Sequence, residues 1–383
     1  HPVAHSFPTR RSSDLAFVFY YQGHFKRMHA LLEEHAALVV RVREPRVKAL
    51  FEVMLGCALW HREEFTRAYD CLTRAAEIAS DIGELRILGY AACWLTWTCT
   101  ELGRASEALQ HVNTAQWVYE QDPSEPYIYF NSLAGQGYAS WHTGDSAQTR
   151  DAGLKLLNFG QEHASPRCMV MGHCCLGWSF LVTGNTHQAR PEFEKALSAS
   201  LDPWYSLFPK LALCYGYIAE GQFSEAEVFM TDILDTSHEY GVEFVGNPAE
   251  FFRGLSLVTQ GSVSRGLSVM ETYLEHWGRN ACVMRFVSLG AVLARIYATA
   301  TLKRGRVSWS TLLQNPRGML KLGPGCRKRA HSWLERCALE ARKANMRPVL
   351  GQVHLLKGRL LAAAGRVDQA REAIAPLLER RFA

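Results

Sequence analysis

Residues 101–115 read ELGRASEALQHVNTA, and the spacing within them decides the fold. Gly103 is followed five residues later by Ala108, and seven beyond that by Ala115. The phrase returns at Gly184, Ala189 and Ala196. A shorter form occurs at Gly221 with Ala226, Gly261 with Gly266, and Gly365 with Ala370. Glu63, Ala68 and Ala75 keep the phrase with the glycine replaced. The turn positions 63, 103, 144, 184, 221 and 261 lie about forty residues apart, a spacing typical of arrays of helical hairpins. A small residue shortly after the turn lets the two helices of a hairpin approach closely.

Prolines give the same register independently. Pro45, Pro126, Pro166 and Pro203 each stand eighteen residues before a turn position, and Pro348 stands seventeen before Gly365. Proline suits the first turn of a helix, where its missing N–H costs nothing. Each unit therefore reads as proline, helix A, turn, helix B and a short linker. Cys168, Met171, Cys175, Leu176 and Phe180 have helical spacing on one A helix; Phe65, Ala68, Leu72, Ala75, Ala76 and Ala79 have it on one B helix. Hairpins are expected to begin near residues 16, 45, 84, 125, 166, 203, 247, 281 and 347. The expected fold is an all-α, right-handed superhelical solenoid of about nine antiparallel hairpins. Repeat helices fill 16–304, an inserted basic loop fills 305–325, and C-terminal repeat helices fill 326–383. Pro316, Gly318, Gly323, Pro324 and Gly325 mark the insertion.

The chain has 383 residues and a formal net charge of +5, with a 48% apolar fraction ordinary for a folded protein. No apolar run reads as a membrane span, and no secretory signal is evident at the N-terminus. Eleven scattered cysteines read as buried free thiols in a reducing compartment, so a cytoplasmic location is expected. Residues 5–15, HSFPTRRSSDL, are what translation of a common sequencing adapter gives. Segment 1–15 is therefore expected to be foreign and disordered, with the natural gene beginning upstream. Charge is divided unevenly. Residues 16–275 hold 19 basic and 31 acidic side chains, whereas His276 to Leu334 holds eleven basic and no acidic ones. Such a division suits an acidic partner or a self-complementary contact.

The glycine–alanine phrase, an aromatic two residues after the turn (Phe25, Phe65, Phe223), and Leu176-Gly177 with Phe180 resemble tetratricopeptide repeats. The resemblance runs from Ala16 onward. The period near forty exceeds that family's usual thirty-four, so helices or linkers are longer here. Residues Phe251-Phe252-Arg253-Gly254, Gln260-Gly261, Gly266-Leu267 and Leu274 look similar to C-terminal repeats of large bacterial signalling proteins. In those proteins a nucleotide cyclase or regulatory domain and a signalling ATPase precede the array. The resemblance implies a C-terminal interaction or sensor arm of such a regulator.

Catalytic and cofactor motifs are missing from the sequence. There is no phosphate-binding loop, no H-E-x-x-H and no G-x-S-x-G, and Gly135-Gln136-Gly137 lacks the third glycine of a dinucleotide fingerprint. No catalytic, cofactor or metal site is expected. Cys168, His173, Cys174 and Cys175 cluster locally, but neighbours on a helix diverge by about 100° and read as packing thiols. Cys93 and Cys99 read the same way.

Two binding candidates remain. Six residues before successive turns stand Trp97, Tyr138, Trp178 and Tyr215, with Trp60 and Trp141 extending the stripe. The tetratricopeptide resemblance places that position on the concave groove, and aromatics suit peptide or small-molecule contact. The alternative is that they fill the inner curve between neighbouring A helices. The second candidate is a basic block of Lys303, Arg304, Arg306, Arg317, Lys321, Arg327, Lys328 and Arg329. It suits a solvated face or an acidic partner better than nucleic acid. The function expected is non-enzymatic protein or peptide binding. Alternatives are a small-molecule sensor gating an upstream ATPase or cyclase, and a nucleic-acid-associated regulator.

Overall fold

The computed structural model describes residues 7–302 and 325–379. They form eighteen α-helices and, among the described residues, no strand. Hairpins pair α1 (Phe7–Tyr21) with α2 (Phe25–Val39), α3 (Pro45–His61) with α4 (Phe65–Asp81), and α5 (Leu85–Glu101) with α6 (Ala105–Gln121). They continue with α7 (Pro126–Thr143) and α8 (Ser146–Glu162), α9 (Pro166–Val182) and α10 (Thr186–Ala199), then α11 (Pro203–Glu220) and α12 (Phe223–Tyr240). The last are α13 (Glu243–Thr259) with α14 (Val263–Arg279), α15 (Val283–Leu302) with α16 (Cys326–Lys343), and α17 (Arg347–Ala362) with α18 (Val367–Glu379). The fold is an all-α helical-repeat solenoid.

The prolines open helices as their chemistry requires: Pro45, Pro126, Pro166 and Pro203 are the first residues of α3, α7, α9 and α11. At the turns the backbone goes left-handed, with φ of 75° at Gly103. Glu63 takes φ of 59° although it is not glycine, a conformation that costs about 1–2 kcal/mol. Its buried carboxylate accepts a hydrogen bond from Asn247 Nδ2 at 2.7 Å, which helps to hold the turn.

The two helices of a hairpin play different parts. B helices are amphipathic: α4 buries Phe65, Ala68, Cys71, Leu72, Ala75 and Ala79 on one stripe. A helices such as α3 and α5 are buried nearly all round, because neighbours cover both sides. Close approach depends on the small residues of the repeated phrase. A methyl group at Gly266 would lie 2.4 Å from the Gly254 carbonyl oxygen and 2.8 Å from the Val258 nitrogen, both backbone atoms. Gly266→Ala should therefore destabilise the chain by about 1–3 kcal/mol, as overpacking outweighs alanine's helix-propensity gain of about 1 kcal/mol. Urea unfolding checks this; a neutral or stabilising change would refute it.

The chain divides into two compact units, 1–141 with 145–249, and 142–144 with 250–383. Within the first unit, early and late hairpins meet. His24 stacks on Tyr240 at 5.5 Å, Arg62 pairs with Glu243 at 3.2 Å, and Arg167 donates to the Tyr21 carbonyl at 3.3 Å.

Two expectations need correction. Disorder was expected over 1–15, but α1 includes residues 7–15. Ala16, Phe19 and Tyr20 are buried, and a helix once nucleated propagates through neighbouring residues at little cost. No membrane-length span was expected, yet α15 is long and apolar enough by length and composition alone. It is half buried within the protein, and it carries Arg285 and Arg295. The proposed loop at 305–325 lies outside the described residues, save Gly325.

Candidate functional site: an aromatic interior and a basic helix face

The register that selected Trp97, Tyr138 and Trp178 places them on consecutive A helices, where they touch in series, and Trp60, from the extension of the stripe, joins them on the preceding A helix. Ring centroids are 5.8 Å apart for Trp60–Trp97, 4.9 Å for Trp97–Tyr138 and 5.6 Å for Tyr138–Trp178. Trp141 lies parallel to Trp178 at 5.0 Å. Trp97, Tyr138 and Trp178 are 4–5% exposed, while Trp141 and Tyr215 are half-buried. In this structure the row packs as the wall of an interior.

Residues outside the repeat register close that interior. Trp204 and Phe208 come from α11, Phe244 from α13, Trp94 from α5 and Tyr20 from α1. Trp60 meets Phe244 at 4.0 Å and Trp94 at 5.4 Å. Polar groups form a chain at one side. Trp97 Nε1 donates to Asn131 Oδ1 at 2.7 Å, Asn131 Nδ2 donates to Tyr127 Oη at 2.6 Å, and the hydroxyls of Tyr127 and Tyr20 lie 2.9 Å apart. Tyr138 donates its hydroxyl hydrogen to the buried Glu101 carboxylate. Between the rings remains a cavity of about 20 Å³, enough for one water, lined by Tyr20, Trp60, Trp97, Asn131, Trp204 and Phe208 among others. Nothing in the sequence pattern announced Trp204 or Phe244, since contacts between distant hairpins leave no periodic signal.

The local Cys/His cluster does not converge. Cys168 packs towards Gly160 on α8 and Cys175 towards Gly137 on α7, while His173 Nδ1 pairs with Glu192 of α10 at 2.8 Å. Cys93 Sγ is 3.4 Å from the Ile128 carbonyl oxygen, to which it donates.

Of the basic block, Lys303, Arg304, Arg306, Arg317 and Lys321 lie outside the described residues. Arg327, Lys328 and Arg329 are exposed on the first turn of α16, whose other side buries Ala330, Trp333, Leu334, Cys337 and Ala341. Cations there add to the positive end of the helix dipole and reinforce an anion-attracting potential. Arg327 also donates to the Leu360 carbonyl at 3.3 Å, and Arg329 stands 6.0 Å over the Tyr297 ring. Half-buried His331 reports the field: burial lowers its pKa, and Arg327, Lys357 and Arg366 lower it further against Glu335. Positive charge from α16, α17 and the following turn thus gathers on one side of the second unit.

Residues 351–376, spanning most of α17 and α18, match the tetratricopeptide-repeat family. Among solved structures, a human IFIT1 dimer with m7Gppp-AAAA is 13% identical, covering 97% of this chain and 89% of that one with a TM-score of 0.36. The APC/C hetero-tetramer Cut9–Hcn1 is 12% identical, covering 96% and 89% with a TM-score of 0.34. No match was found among curated proteins. The hairpin of α17 and α18 thus matches a tetratricopeptide repeat, and the described residues form an all-α array of such helical hairpins.

Proposed function

We propose that this chain is a non-enzymatic, cytoplasmic protein-binding arm of a larger bacterial signal-transduction regulator. Its binding face holds an acidic protein segment on the first turn of α16 and the adjoining surface of α17. The observation that carries this reading is the run of exposed Arg327, Lys328 and Arg329 on the first turn of α16, where the helix dipole adds to their charge. Glutamate and aspartate side chains on a flexible partner can reach several of these cations at once. Nucleic acid is the poorer fit, because Trp333 on the same helix is buried and gives bases no stacking platform.

Anisotropy of a fluorescein-labelled oligoglutamate peptide tests the proposal on the full chain. Lys328→Glu with Arg329→Glu is expected to weaken binding about tenfold or more, and added salt to weaken the parent's binding. Unchanged affinity in the double variant would refute the assignment. So would tighter binding of an RNA or DNA oligonucleotide than of the peptide at physiological salt.

A second reading, a small-molecule sensor gating an upstream ATPase or cyclase, draws on the aromatic cavity. A volume of about 20 Å³ admits one water, so a metabolite would have to part lining rings such as Trp60 and Trp204. That requirement ranks it behind the basic face.

A further inference from the structure

Across the turn at Gly103, the third hairpin brings three different donor side chains together. Cys99 sits in the last turn of α5, while Glu107 and His111 stand one helical turn apart on α6. Their ligand atoms all lie within 4.8 Å of one another. Cys99 is fully buried, whereas Glu107 and His111 are 31% and 24% exposed. The arrangement is a thiol floor under a mouth open to water, so an ion has an entry path.

We propose that Cys99, Glu107 and His111 form a binding site for a zinc-type divalent transition-metal ion. Sulfur, imidazole nitrogen and carboxylate oxygen together suit zinc, while magnesium and calcium prefer oxygen alone. Bonds of about 2.0–2.3 Å put tetrahedral ligands roughly 3.5 Å apart. Small rotamer changes in the two half-exposed side chains close the remaining distance. Three protein ligands leave a fourth position for water, and the thiol proton leaves to solvent as the metal–sulfur bond forms.

The surroundings support the ligands. Tyr69 Oη donates to Glu107 Oε1 at 2.6 Å and so fixes the carboxylate, the part that outer-shell groups play at metal sites. Arg104 lies 3.7 Å from the other carboxylate oxygen and is held over the Tyr69 ring at 4.4 Å. It competes with a metal for the carboxylate, and at 46% exposure it can swing into solvent. An ion here would staple α5 to α6, tying a buried thiol to the surface helix.

Cobalt(II) titration of the full chain tests the site, because thiolate-to-cobalt charge transfer gives a near-ultraviolet band. The expected result is a band that saturates at one cobalt per chain, is displaced by zinc, and is lost in both Cys99→Ser and His111→Ala. The other ten cysteines remain in each variant, so loss of the band isolates this site. If the buried Cys99→Ser substitution fails to fold, His111→Ala and Glu107→Gln, both at half-exposed positions, decide the matter at wild-type helicity. Absence of the band from the parent chain, or its persistence in the folded variants, would overturn the proposal.

Discussion

Trp60→Ala is expected to lower the free energy of unfolding by about 3–5 kcal/mol, the range for emptying a large buried aromatic site. Trp60 is 1% exposed, and its indole reaches four other helices. It meets Phe65, Trp94, Trp97, Trp204 and Phe244 at centroid distances from 4.0 to 6.4 Å. In most repeat arrays a hairpin touches only its neighbours, so a deletion costs one local interface. Here the same ring also joins the second hairpin to the sixth and seventh. Collapse around the void is resisted because those partners sit on separate helices with their own packing. The indole N–H has no hydrogen-bond partner among the described residues, a cost that phenylalanine would not carry. Trp60→Phe should therefore cost much less than Trp60→Ala, about 1–2 kcal/mol at most. Denaturant unfolding of both variants checks the pair; equal losses, or an alanine loss below about 1 kcal/mol, would contradict this account of the interior.

Acid should weaken the fold through His61, by as much as about 4–5 kcal/mol between near-neutral pH and pH 3. His61 is fully buried against Phe25, Trp94 and Trp204, with ring centroids 3.7, 5.4 and 4.8 Å away. Its Nδ1 bonds the Cys57 carbonyl at 2.7 Å, and Nε2 has no partner among the described residues. Burial lowers its pKa from 6.5 to about 3, partly opposed by that backbone bond. In the unfolded chain the imidazole takes up a proton near pH 6.5, whereas the folded chain resists until about 3. Between those values the unfolded state binds more protons, so stability is full above 6.5 and falls as pH drops through the window. His142 is shifted to about 3 as well, chiefly by burial and then by Arg285. The diagnostic quantity is therefore a difference: His61→Gln should flatten the stability–pH curve between pH 6.5 and 3 relative to the parent. Parallel curves would show that His61 does not titrate across this window.

The fold was legible because its signals are local. Gly103, Gly184 and Gly221 sit at left-handed turns, and Pro45, Pro166 and Pro203 start helices, each fixed by the backbone chemistry of one residue. The aromatic row was legible for the same reason: one register position recurs once per hairpin, so Trp97, Tyr138 and Trp178 had to line up. What the row faces could not be read that way. Trp204 and Phe244 meet Trp60 from more than a hundred residues further along the chain, and no short-range spacing encodes such a meeting. Cys99 beside Glu107 and His111 was hidden for a different reason, since the three meet within one hairpin. Each alone reads as a core thiol or a helix-surface side chain, and their proximity follows from how tightly the turn folds α6 back on α5.

Sequence by itself determined the hairpins, their approximate number and the apolar stripe of B helices such as α4. Those properties follow from φ preferences, proline's missing donor and a helical period of 3.6, all acting within a few residues. Tertiary structure alone decided that the inner face of the first unit is packed with rings and holds a water-sized cavity. It also decided that basic side chains from α16, α17 and the turn after α17 gather around His331. The physical reason is one of range: turn chemistry acts between neighbours along the chain, whereas side-chain packing and charge act between whatever the stacked helices bring within a few ångströms.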